Sequence, residues 1–150
     1  MTAGGDRLPA EPVDERWVVV VADDDEMARE LVVRYFAKLK LVNRVVHATD
    51  GDDAVRVLAE ESLCPALVLL DLEMPGRSGL EVLRWLRGER RLSDVPVVML
   101  TGSAELDEVD EAYALGISSY LVKPVGFAAL QDVIRQLGLA WALVPSRREA

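Results

Sequence analysis

The chain has 150 residues, 51% of them hydrophobic and 29% charged, a composition typical of one globular domain with a single core. A formal net charge of −9 disfavours direct binding to nucleic acid or to an anionic membrane surface, since both are negatively charged. The one cysteine, Cys64, excludes an internal disulfide and a multi-cysteine zinc site within this sequence.

The two ends of the chain differ in composition from its middle. Residues 1–15 are rich in glycine, proline and charge, which predicts a flexible N-terminal extension, and they lack the apolar segment of a secretory signal. No apolar run approaches the roughly 18 residues of a membrane span, so we expect a cytoplasmic location. Residues 139–150 form a C-terminal extension around Trp141, which either packs on the preceding helix or contacts a second copy of the chain.

Residues 16–138 predict one domain in which strands and helices alternate. Short apolar runs predict strands, and apolar residues at intervals of three or four predict helices. In chain order the strands are 17–22, 44–48, 67–71, 96–101 and 118–122, and the helices are 27–40, 52–61, 80–88, 104–115 and 127–137. An alternative end for the last helix lies past Gly138, at Leu143. The pattern predicts an α/β fold, a doubly wound parallel sheet of the flavodoxin-like (βα)5 type with strand order 2-1-3-4-5.

Carboxylates follow two strands that are neighbours in this order. Asp23 and Asp24 follow the first strand, and Asp71 ends the third. The carboxyl ends of parallel strands meet at one edge of a sheet, so these side chains should converge. A like-charge pair about 4 Å apart costs about 4 kcal/mol, so the cluster needs a cation, either Lys123 after the fifth strand or a divalent metal. Ligands that are all oxygen favour Mg²⁺ or Mn²⁺.

Asp71 is the candidate nucleophile of this cluster. A carboxylate can attack phosphorus and form an aspartyl phosphate, while Mg²⁺ and Lys123 would neutralise charge on the transferred oxygens. Thr101, at the end of the fourth strand, is placed to donate a hydrogen bond to the phosphoryl group.

Two prolines shape the loops beside these residues. Pro75 and Gly76 predict a tight turn shortly after Asp71. Pro124 restricts the loop that aims Lys123, and the bond between them is either trans or cis.

Four motifs lie at the strand ends: Val-Ala-Asp23-Asp24-Asp-Glu, Leu-Leu-Asp71-Leu-Glu-Met-Pro75-Gly, Val-Met-Leu-Thr101-Gly and Tyr120-Leu-Val-Lys123-Pro124. Together they resemble the receiver domain of response regulators, the CheY-like fold, over residues 17–137. One of these motifs alone would be weak evidence, but the order and spacing of all four agree with that family.

The resemblance implies a phosphoacceptor and a metal site. Asp71 matches the phosphoacceptor, and Asp23 and Asp24 match the acidic pair that holds Mg²⁺. Glu73 stands where the family uses a backbone carbonyl as a metal ligand. The third aspartate in the row, Asp25, leaves the alignment of the acidic pair open, and the following helix start favours Asp23 and Asp24.

The resemblance also implies a switch. Thr101 and Tyr120 match the pair of residues that respond to phosphorylation, and Lys123 matches the lysine that contacts the phosphoryl group. Their response would alter the surface of the fourth helix, fifth strand and fifth helix.

The function implied is that of a single-domain response regulator phosphorylated by a sensor histidine kinase. Residues 114–127 and 137–141 resemble stand-alone receivers that are paired with bacterial phytochrome kinases, which suggests a homodimer that includes Trp141. Only 13 residues follow Leu137, too few for an output domain, so we expect no direct DNA binding. We also expect no enzyme activity beyond the domain's own phosphorylation and dephosphorylation.

Two other functions are open from the residues. One is a Mg²⁺-dependent phosphohydrolase with Asp71 as nucleophile, although such enzymes usually carry an aspartate where this chain has Glu73. The other is an interaction module that works without phosphorylation, which the complete set of acidic residues, threonine and lysine disfavours. Turnover of phosphomonoesters would indicate the former, and absence of any Mg²⁺ response would indicate the latter.

Overall fold

A computed structural model describes residues 17–102 and 106–138 of the chain. The strands are β1 (Trp17–Ala22), β2 (Arg44–Ala48), β3 (Cys64–Asp71), β4 (Val97–Thr101) and β5 (Ser119–Val122). The helices are α1 (Glu26–Lys38), α2 (Gly51–Leu58), α3 (Gly79–Gly88), α4 (Leu106–Ala114) and α5 (Phe127–Leu137), and a short 3₁₀ turn, Arg90–Leu92, precedes β4. The predicted terminal extensions, including Trp141, lie outside the described residues.

The five strands form one parallel sheet in the order β2-β1-β3-β4-β5, which confirms the predicted fold and strand order. β3 lies at the centre, between β1 and β4, and all its residues except the first are buried. A strand covered on both faces is apolar almost throughout, which explains its continuous run of leucine and valine.

Helices cover both faces of the sheet and divide the core into two clusters. Successive side chains of a strand point to opposite faces, so Val18 and Val20 of β1 belong to one cluster and Val19 and Val21 to the other. The first cluster includes buried residues of α2, α3 and α4, and the second includes buried residues of α1 and α5. The edge of the sheet at the carboxyl ends of the strands therefore lies between two packed layers of helices.

Three predicted boundaries within the described residues were wrong by two or three residues. α2 ends at Leu58 rather than residue 61, because Ala59 is its C-cap. β3 begins at Cys64, three residues earlier than predicted, because pairing with β1 continues through Pro65 with an irregularity between Val18 and Val19. α1 ends at Lys38 rather than residue 40, since Lys40 adopts a positive φ of 63°. The alternative of a longer last helix is also wrong, because Gly138 adopts the left-handed conformation that ends α5. Within the described residues, no helix has the length and apolarity needed to cross a membrane.

Candidate functional site

Three carboxylates meet where β1 and β3 end. These strands are neighbours, with Ala22 opposite Leu70, so the residues that follow each of them reach the same edge. Asp23 has no exposed surface and Asp71 is only 4% exposed, whereas Asp24 is exposed. One carboxylate oxygen from each of the three lies within 4.8 Å of the others.

The turn between β1 and α1 separates the roles of the three consecutive aspartates. Asp23 Oδ1 accepts a hydrogen bond from the Asp25 N–H at 3.0 Å. Asp25 Oδ1 in turn accepts from the N–H of Met27 at 2.9 Å and of Ala28 at 3.4 Å, so it caps the start of α1. The geometry thus groups Asp23 and Asp24 with Asp71 and assigns Asp25 to the helix.

The loop after Asp71 is held by close backbone contacts. The Glu73 N–H donates to Asp71 Oδ1 at 3.3 Å, and the Glu73 side chain is exposed. Pro75 accepts a hydrogen bond on its carbonyl from the Gly51 N–H at 3.3 Å, and Gly76 has a φ of +76°, which favours glycine. The predicted turn at Pro75 and Gly76 therefore rests against the first residue of α2.

Two glycines permit this packing. A Cβ atom on Gly51 would lie 1.9 Å from the carbonyl oxygen of Arg77, and one on Gly79 would lie 2.2 Å from the carbonyl oxygen of Asp71. Real Cβ atoms do not approach other atoms so closely, so the loop can lie here only because both residues lack a side chain.

Lys123 supplies the positive charge of the site. Its Nζ atom lies 2.9 Å from Asp23 Oδ2 and 3.2 Å from Asp71 Oδ2, and its side chain is 24% exposed. Its N–H donates to the Thr101 carbonyl at 2.8 Å, and the Lys123-Pro124 peptide bond is cis. One ammonium group therefore bridges the two buried carboxylates.

Burial and crowding change the proton affinity of these groups. Burial, and next the nearby Asp23 carboxylate, raise the pKa of Asp71 to about 6, although Lys123 and the Glu73 N–H act in the opposite direction. Burial alone would lower the pKa of Lys123, but its hydrogen bonds and charge interactions with Asp23 and Asp71 raise it above the usual value. Lys123 therefore stays charged at neutral pH.

The residues fit a divalent cation. Three carboxylates and one ammonium group leave two uncompensated negative charges, which one dication would balance. The buried Asp23 Oδ2 contacts the Lys123 ammonium, and no other donor in the described part of the chain reaches it. Oxygen donors of this kind suit Mg²⁺ and Mn²⁺.

Thr101 and Tyr120 lie on the same side of the sheet. Thr101 ends β4 and is buried. Met99, two residues earlier and so on the same face, pairs with Tyr120 of β5. Tyr120 is half-buried against the first core cluster, and its ring meets Tyr113 of α4 edge to face, with centroids 6.4 Å apart. An aromatic contact therefore joins the strand that follows Thr101 in the sheet to α4.

Arg29 is a site neighbour that the sequence did not indicate. Its guanidinium donates to the Asp23 backbone carbonyl at 2.6 Å and to His47 Nδ1 at 3.2 Å. The only sequence signal is a basic residue six positions after Asp23, which fits an ordinary exposed helix face equally well.

Comparisons with known proteins agree with this geometry. The family model of the response regulator receiver domain matches residues 19–135. The probable methanogenesis regulatory protein FilR2 of Methanothrix harundinacea is 33% identical over 142 residues, which make up 91% of this chain and 89% of that protein.

Solved structures of similar proteins include two bacteriophytochrome response regulators. AtBRR is 35% identical with a TM-score of 0.74, over 89% of this chain and 99% of that one. RtBRR is 38% identical with a TM-score of 0.75, over 84% and 80% of the two chains. The Mn²⁺-bound form of response regulator Rcp1 is 28% identical with a TM-score of 0.70, over 84% and 94%. The fold, the acidic cluster and these matches together show that the chain belongs to the response regulator receiver domain family.

Proposed function

We propose that this receiver domain accepts a phosphoryl group on Asp71 from the phosphohistidine of a sensor histidine kinase. The observation that carries the proposal is the placement of Asp71, buried at the end of the central strand, where the Lys123 ammonium bridges it to Asp23. A buried carboxylate with a raised pKa next to a fixed cation is typical of a reactive group.

In this reaction a carboxylate oxygen of Asp71 forms a bond to phosphorus. The bond between phosphorus and the histidine nitrogen breaks, and its electron pair stays on the imidazole, which then takes up a proton. Lys123, 3.2 Å from Asp71 Oδ2, moves its contact to the phosphoryl oxygens. Thr101 would donate its hydroxyl to the same group.

Asp23, Asp24 and Asp71, with the backbone carbonyl of Glu73, would hold Mg²⁺ or Mn²⁺ in this site. When bound, the metal ion neutralises charge on the transferred oxygens and favours the ionised form of Asp71. Two observations support it: the two uncompensated negative charges of the cluster, and the Mn²⁺-bound form of the similar protein Rcp1.

Phosphorylation would then alter the surface formed by α4, β5 and α5. Engagement of Thr101 by the phosphoryl group would draw Tyr120 inward and change its contact with Tyr113. On this surface Tyr113 is 46% exposed and Val122 is 45% exposed, which supports its use as a docking face for a protein partner.

The partner kinase that we propose is a bacteriophytochrome. Its support is that two similar solved structures, AtBRR and RtBRR, are bacteriophytochrome response regulators. We also propose a homodimer through the α4–β5–α5 surface and the extension that contains Trp141, a segment outside the described residues. The absence of DNA binding, the absence of other enzyme activity and the cytoplasmic location stay predictions.

Labelling with a small phosphodonor tests the phosphoacceptor. We expect Asp71→Asn to lose Mg²⁺-dependent incorporation of phosphate from acetyl phosphate at least about a hundredfold, because an amide cannot act as the nucleophile. The matched control is Asp25→Asn, which changes a neighbouring aspartate that caps α1. Asparagine is an equally good cap, so this variant should be labelled like the wild type.

Undiminished labelling of Asp71→Asn would contradict the proposal. Repeated turnover of phosphomonoesters by the wild type would indicate a phosphohydrolase instead.

A further inference from the structure

Lys123 reaches the site from the short loop between β5 and α5, residues 123–126. The start of this loop is fixed by the hydrogen bond from the Lys123 N–H to the Thr101 carbonyl at 2.8 Å. A lysine side chain is long and flexible, so the position of its ammonium group depends on how firmly the rest of the loop is held.

Tyr35 holds the other end of the loop. Its hydroxyl donates to the Val125 carbonyl at 2.8 Å, although the two residues lie 90 positions apart in the sequence. Val125 is buried in the second core cluster and Tyr35 packs against that cluster. The hydrogen bond is therefore partly shielded from water, and water replaces it less readily than an exposed one.

Neighbouring side chains fix the Tyr35 ring in place. The ring meets Phe127, at the start of α5, edge to face with centroids 5.5 Å apart. The Lys38 ammonium lies 4.3 Å from the centroid of the same Phe127 ring. α1 begins directly after the Asp23–Asp25 turn and carries both Tyr35 and Lys38, so this one helix orients the acidic pair and holds the loop of Lys123.

We propose that Tyr35 is a positioning residue for Lys123 in phosphoryl transfer to Asp71. The inference rests on the proposed function and extends it to a residue with no contact to the reacting atoms. Loss of the hydroxyl would free the Val125 carbonyl, let the loop shift and move the ammonium group away from Asp71. A misplacement of about 1 Å can lower a rate up to about a hundredfold.

A double-mutant cycle separates this role from a general loss of stability. Tyr35→Phe keeps the ring and its contact with Phe127 but removes the hydroxyl. With acetyl phosphate and Mg²⁺, we expect it to slow the labelling of Asp71 about tenfold in the wild-type background. In the Lys123→Ala background the same change should have almost no further effect, because the group that it positions is gone. No effect in the wild-type background, or an equal factor in both backgrounds, would overturn the proposal.

A second measurement reports the position of Lys123 without any phosphorylation. Modification of Lys123 by an amine-acylating reagent can be followed by peptide mass spectrometry and normalised to the exposed Lys40. In the wild type the ammonium is held by two carboxylates, so we expect Tyr35→Phe to raise its reactivity several-fold; unchanged reactivity would overturn the inference. If the wild type incorporates no phosphate from acetyl phosphate, the proposed function is overturned instead. The acylation result would still decide whether Tyr35 positions Lys123.

Discussion

The two sides of Asp71 are built differently. On the acidic side, formed by the Asp23–Asp25 turn and the loop after β3, a backbone group takes part in each of the hydrogen bonds described above. The Gly51 N–H donates to the Pro75 carbonyl, and glycine at positions 51 and 79 lets the backbone segments touch. On the aromatic side, formed by α4 and β5, side chains make the contacts, with Tyr113 against Tyr120 and an exposed ion pair between Arg84 and Glu111.

This difference separates binding from response. Backbone contacts between packed elements cannot rearrange without moving whole segments, so the acidic side presents its ligands in a fixed arrangement. Side chains on the aromatic side can change rotamer at little cost. The proposed function would need both properties, since the site would recognise one phosphoryl group and the surface would take up two states.

The largest effect on stability should come from the acidic side. We expect Gly51→Ala to lower the free energy of unfolding by about 3 kcal/mol, because its Cβ would lie 1.9 Å from a backbone oxygen that cannot rotate away. Urea unfolding of the wild type and of Gly51→Ala measures the difference in the free energy of unfolding. The control is Gly88→Ala in α3, where a Cβ would meet no atom within 4 Å. Equal stability of these two variants would show that the loop after β3 shifts at little cost in free energy, and that the acidic side is not rigid.

An effect of similar size and opposite sign should follow from Asp71→Asn. The pKa of Asp71 in the folded state is raised to about 6 from 3.8, so between these values the folded state holds more protons than the unfolded state. Stability of the wild type should therefore fall as pH rises from about 4 to about 6 and stay lower above that.

Asparagine does not titrate, so without metal the Asp71→Asn variant should be more stable than the wild type at pH 7, by about 3 kcal/mol. Thermal unfolding at a series of pH values measures the difference in stability between the two proteins. Added Mg²⁺ should reduce this difference by stabilising the wild type. If Asp71→Asn is less stable than the wild type at pH 7 without metal, the ionised Asp71 does not destabilise the folded state, which contradicts this prediction.

The smallest effect should come from the aromatic side. Arg84→Ala removes an exposed ion pair between α3 and α4 and should lower the free energy of unfolding by less than about 0.5 kcal/mol, with no change in Mg²⁺ affinity. Arg87→Ala is the comparison, since that guanidinium donates to the carbonyls of Leu115 and Gly116 and should cost more. A fall in Mg²⁺ affinity in Arg84→Ala would show that the two sides are not independent.

The sequence predicted which residues form the site better than it predicted the contacts that hold them in place. Continuous apolar runs indicated the buried strands, and the predicted strand order brought Asp23 next to Asp71. Three identical residues in a row cannot show which one caps a helix, and only the hydrogen bonds assigned Asp25 to α1. The packing role of Gly51 was not predicted, because nothing near it in sequence reveals that residue 77 packs against it. The contact of Tyr35 with Val125 spans 90 positions and leaves no local pattern.

The burial of the acidic cluster determines how other molecules reach it. Asp23, Asp71 and Thr101 are buried, whereas the nearby Asp24 and the Glu73 side chain are exposed. An incoming phosphodonor and the water that later hydrolyses the aspartyl phosphate would thus share one entrance with an acidic rim. A partner that covers this entrance after transfer would prevent both a second phosphorylation and hydrolysis, so its residence time would set the duration of the signal.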